Sequence, residues 1–62
     1  MSQPPHPLRI AAEQLEAASK ALQPMVAAAK EKATEKAFRQ AAFGLGQAAL
    51  GFRRIAEKEE AP

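Results

Sequence analysis

The sequence predicts an all-α protein in the form of a small helical hairpin, its two helices broken near Pro24. Three observations carry this. From Leu8 onward the chain is dominated by Ala, Leu, Glu, Gln and Lys, the strongest helix formers, and it has no β-branched run from which to build a strand. The larger apolar side chains recur at alternating intervals of three and four, the spacing of one helix packed on another. Bulk is also scarce: of twenty-nine apolar residues sixteen are alanine, leaving five Leu, three Phe, two Ile, two Met and one Val. So thin a supply, with no cysteine to staple it, leaves oligomerisation or a partner as the means of completing a core.

Residues 1–7 contain Pro4, Pro5 and Pro7 and read as a flexible Pro-rich arm, because proline neither continues a helix nor pairs in a central strand. A first helix is expected from about Leu8 to Leu22, with Pro7 at its entry, where no hydrogen bond is lost. Its inner stripe is Leu8, Ala11, Leu15, Ala18 and Leu22, and Arg9, Glu13, Glu16 and Lys20 lie on the other side. Pro24 marks the expected break, since inside a helix it removes a hydrogen bond and clashes with the carbonyl at position 20; a kinked continuous helix is the alternative.

The second helix is expected from near Met25. Its stripe of Thr34, Phe38, Ala41, Leu45, Ala48, Phe52 and Ile55 keeps the alternation over three heptads. Gly44, Gly46 and Gly51 fall within it. Phe43-Gly44-Leu45-Gly46 also has the form of a helix stop, which would leave a third short helix after Gly46. Residues 8–58 thus read as a single helical domain, and 59–62 as an acidic tail.

Two constellations on the second helix point outward. Ala33, Ala37, Ala41, Gly44, Ala48 and Gly51 form a row without bulk that fits close packing of helix backbones, within the chain or between chains. Between Arg39 and Arg53 only Gln40 and Gln47 are polar. Phe38, Leu45 and Phe52 point one way, with Phe43 and Leu50 roughly 150° away on a helix. One neighbour covers one side of a helix, so an interaction face of Phe38, Phe43, Leu45, Leu50, Phe52 and Ile55 is expected to meet something further.

Charge narrows the partner. Residues 1–29 sum to zero, 30–54 to +4 and 55–62 to −2. The lysines at 30, 32 and 36 alternate with Glu31 and Glu35 in ordinary helix-surface pairing, which disfavours a small basic nucleic-acid-associated protein. Arginines flanking an apolar, Phe-containing stretch leave a peripheral amphipathic helix on a membrane surface as the first alternative. No signal peptide is read at the start, and the apolar stretch from Ala41 to Phe52 is too short to span a bilayer, so the expectation is a cytoplasmic protein.

Catalysis, cofactor and metal binding are not expected. The sole histidine, His6, lies in the arm, there is no Asp, and no phosphate loop or metal-ligand spacing is present. Ala27–Ala37 resembles a single eleven-residue unit of the Ala/Lys/Glu/Thr type seen in desiccation-related late-embryogenesis proteins. It does not repeat, and an array needs several copies, so the likeness is one of composition and assigns no family. The reading is a non-catalytic protein–protein interaction or accessory subunit that associates with itself or with a larger protein.

Overall fold

The computed structural model describes residues 4–61, so the first three residues of the expected arm and Pro62 of the expected tail lie outside the described part. The described residues form two helices, α1 (Pro7–Ala28) and α2 (Lys32–Glu60), joined by a short turn. They run antiparallel as a hairpin of about 50 × 19 × 11 Å. Contacts along α1 meet α2 in reverse order: Arg9 with Glu60, Glu16 with Arg53, Ser19 with Ala42.

The start of α1 is built from the expected arm. His6 is the N-cap, and its Nδ1 accepts the Leu8 N–H at 3.0 Å, satisfying one of the free amides of the first turn, while Pro7 occupies the position that needs no donor. With Nδ1 accepting, the ring proton sits on Nε2, which pairs with Glu59. The cap is thereby braced from the far end of α2. Glu31 caps α2 without a side-chain bond; Glu35 in its first turn and Lys58 in its last suit the helix dipole.

One expected interruption and one alternative interruption are absent. The break near Pro24 is corrected: α1 continues through Pro24 to Ala28. Pro24 is exposed, so water can serve the Lys20 carbonyl that it leaves without a donor, while Leu22, Val26 and Ala29 are half-buried on the inner side of the same segment. Apolar contact on both sides of the proline outweighs the lost bond. The alternative of a third short helix after Gly46 does not form, and the stripe that runs through the glycines is one helix. Gly44, Gly46 and Gly51 lie inside α2, and none has the positive φ of a helix stop.

The seam between the helices is Leu8, Ala12, Leu15, Ser19, Leu22 and Val26 on α1, with Ala29 just past its end, and Phe38, Ala42, Leu45, Ala49, Phe52 and Ala56 on α2. Both series alternate four and three, and both keep the leucines and phenylalanines of the expected stripes. Their companions differ by one residue: Ala12 and Ser19 stand in place of Ala11 and Ala18, and Ala42, Ala49 and Ala56 in place of Ala41, Ala48 and Ile55. The shift brings the charged flank of α1 beside α2, where Arg53 Nε donates to Glu16 at 2.7 Å and Arg9 grips Glu60 with bonds of 2.7 and 2.9 Å to one oxygen. Ser19 Oγ donates to the Ala42 carbonyl at 2.8 Å, so its hydroxyl is satisfied inside the seam.

The Arg9 pair makes stability depend on pH. Hydrogen bonds from Arg9, against the opposing effect of desolvation, hold the Glu60 carboxyl below its ordinary value of 4.5, and the same bonds raise Arg9. A carboxylate lowered in the folded state stabilises above its unfolded pKa, and that contribution disappears as pH falls through the folded value. Urea denaturation of wild type and Glu60→Gln is therefore expected to differ most at about pH 6 and to converge by about pH 2. Equal midpoints at the higher pH would show that the pair contributes nothing.

Candidate interaction surface

Four residues reach full burial: Ala12, Ala42, Ala49 and Ala56. No large side chain among the described residues does. The Leu and Phe of the seam are half-buried, each pressed against one neighbouring helix and open behind.

The expected interaction face therefore divides. Phe38, Leu45 and Phe52 lie in the seam. Phe43, Leu50 and Ile55 stand outside it, 69%, 42% and 47% exposed. Helical spacing puts Phe43 and Leu50 on the flank that carries the ion pairs, one heptad apart with Gly46 between them. Ile55 lies on the opposite flank, as do the small residues Ala33, Ala37, Ala41, Gly44 and Ala48, all exposed, and half-buried Gly51. A Cβ added at Gly44, Gly46 or Gly51 would meet nothing within 4 Å. None of the three glycines is needed for the two helices of one chain to approach. Ile10 and Met25 are further large apolar side chains left exposed on α1, a surface the sequence reading did not single out.

Two hollows of about 310 Å³ each open on the ion-paired flank. One is bounded by Gly46, Ala49, Leu50 and Arg53, with Glu16 of α1 at its rim. The other is bounded by Lys32, Glu35, Lys36 and Arg39. Each is a set of residues at i, i+3, i+4 and i+7, the diamond that receives a side chain of a facing helix in knobs-into-holes packing. The first is apolar at its base because Gly46 and Ala49 contribute almost no side chain. The second is rich in positive charge, and Arg39 there is tied to Glu35.

The pairing state of the arginines bears on the partner. Arg39 and Arg53 bracket the Phe43–Leu50 stretch, and each is engaged by a carboxylate of its own chain, Glu35 and Glu16. Neither helix is long and apolar enough to cross a membrane. No protein-family model matches the chain, and no curated protein or solved structure matches it.

Proposed function

We propose that this protein is a non-catalytic, cytoplasmic interaction or accessory subunit that completes its core by packing the outer side of α2 on another helical surface. The observation that carries the reading is that full burial within the hairpin reaches only alanine, while Phe43 and Leu50 stand in the open beside preformed hollows. Burying one such side chain is worth roughly 1.5–3 kcal/mol, so association gains what the hairpin alone forgoes. The one histidine serves as a helix cap, which supports a structural use for the residue best suited to acid–base chemistry. Arg39 and Arg53, which bracket the apolar stretch and are already held by carboxylates, favour a protein partner there over phosphate groups of lipid or nucleic acid.

Photo-crosslinking in the cell tests this. A photoreactive residue at position 43 is expected to give a discrete adduct, and one at Glu13, on the exposed charged side of α1, none. Absence of any adduct from position 43 would overturn the reading.

A further inference from the structure

Resting on the reading of the outer side of α2 as an association surface, we infer that its occupant is a second copy of this chain. The two α2 helices dock antiparallel about a two-fold axis beside Gly46. Four observations fix this arrangement.

The first is a second seam on α2. Lys36, Phe43, Leu50 and Glu57 repeat at one heptad position, with Lys32, Arg39, Gly46 and Arg53 at another. The stripe is apolar in the middle, basic at its start, and ends on Glu57 beyond Arg53, so Lys36 of one copy meets Glu57 of another only when the two helices run reversed.

The second is a single register. In an antiparallel pair centred beside Gly46, Phe43 of one copy falls level with the hollow of Gly46, Ala49, Leu50 and Arg53 on the other. The same register sets Glu57, two heptads further on, level with the hollow of Lys32, Glu35, Lys36 and Arg39. Both hollows are filled at once, one by an aromatic ring and the other by a carboxylate among cations. Each contact occurs twice by symmetry.

The third is charge already in place. Lys32, Lys36 and Glu57 make no ion pair within the chain among the described residues, so they are free to pair across the axis. Arg39 of one copy comes level with Arg53 and Arg54 of the other. Arg39 and Arg53 arrive with their own carboxylates, Glu35 and Glu16.

The fourth is Gly46 itself. Glycine in mid-helix costs about 1 kcal/mol against alanine, and here it spares no clash inside the chain. At the axis it faces its own symmetry mate, where the absence of a side chain lets the backbones close enough for Phe43 to seat.

Sedimentation equilibrium from about 1 µM to about 1 mM tests the pairing. The wild-type mass is expected to rise from one chain toward two. Phe43→Ala and Gly46→Leu should each weaken the dimer at least ~10-fold. Circular dichroism should show Gly46→Leu still helical, because its side chain has open space in the monomer. Gly44→Leu, on the other flank, should leave Kd within ~2-fold. Lys36→Glu and Glu57→Lys should each weaken self-association by about 5-fold or more, and their equimolar mixture should restore it, since a mixed pair satisfies both contacts. A dimer indifferent to Gly46→Leu, or charge variants that do not rescue one another, overturns the arrangement. A wild-type monomer throughout, with a discrete cellular adduct from position 43 at a mass other than two chains, overturns self-docking and leaves the subunit reading standing. A monomer with no adduct overturns both.

Discussion

Ala49→Asp is expected to lose most of its helical signal at 25 °C, while Ala48→Asp keeps it. The two variants introduce the same carboxylate one residue apart in the same helix, so helix propensity changes equally, by about 0.5 kcal/mol. Only the surroundings differ. Ala48 is exposed, and an aspartate there stays hydrated. Ala49 is 2% exposed and faces α1 between Leu45 and Phe52, and the one cation near it, Arg53 a turn further on, is already held by Glu16. An unpaired carboxylate taken out of water costs several kcal/mol or forces the site open. Below about 70 residues a single core rarely supplies more than about 3–5 kcal/mol, and a two-helix layer sits at the low end. The expected loss of about 3 kcal/mol or more is therefore enough to unfold the chain. Ala42→Asp against Ala41→Asp should repeat the contrast one heptad earlier. Equal losses at 48 and 49 would place the seam midway between them and reject the packing described above.

That contrast also marks how far the sequence could be read. Helix as the sole element, antiparallel pairing, and Leu8, Leu15, Leu22, Phe38, Leu45 and Phe52 as the facing bulk all follow from composition and spacing. The companion residues do not, because alanine stands at both candidate positions in the pairs 11/12, 41/42 and 48/49. Periodicity cannot choose between two alanines. What chooses is a long-range condition, the pairing of Arg9 with Glu60 and Glu16 with Arg53, which requires knowing which ends of the helices meet. Those charges were visible as a flank, and a two-helix alignment would have matched their signs. Phe43 and Leu50 were legible as lying off the stripe because their angle depends only on the helical repeat. Ile55 was drawn into the stripe because it is the bulkier of the adjacent pair 55/56, and it stands outside the seam while Ala56 is buried. The capping role of His6 had a weaker signal. Pro7 announces a helix start, but histidine is not among the usual capping residues, and its second contact comes from Glu59 at the far end of the sequence.

Pro24→Ala is expected to stabilise the hairpin by about 2 kcal/mol. Proline inside a helix costs about 3 kcal/mol through the missing N–H and the crowding of the preceding turn. The unfolded chain of the variant regains freedom worth about 0.5–1 kcal/mol, which offsets part of the gain. No contact is sacrificed, since Pro24 is exposed on the outer side of α1. The alanine also supplies the donor that the Lys20 carbonyl lacks and lets the last turn, which carries Val26 and leads into Ala29, sit more firmly against α2. The measurement is urea denaturation at one fixed low protein concentration, so that association does not enter the midpoint. A higher midpoint with an unchanged slope is the expected result. An unchanged or lower midpoint would mean that α1 stops before Pro24 in solution, as the proline alone would dictate, and that burial of Val26 and Ala29 is too weak to carry the helix across it.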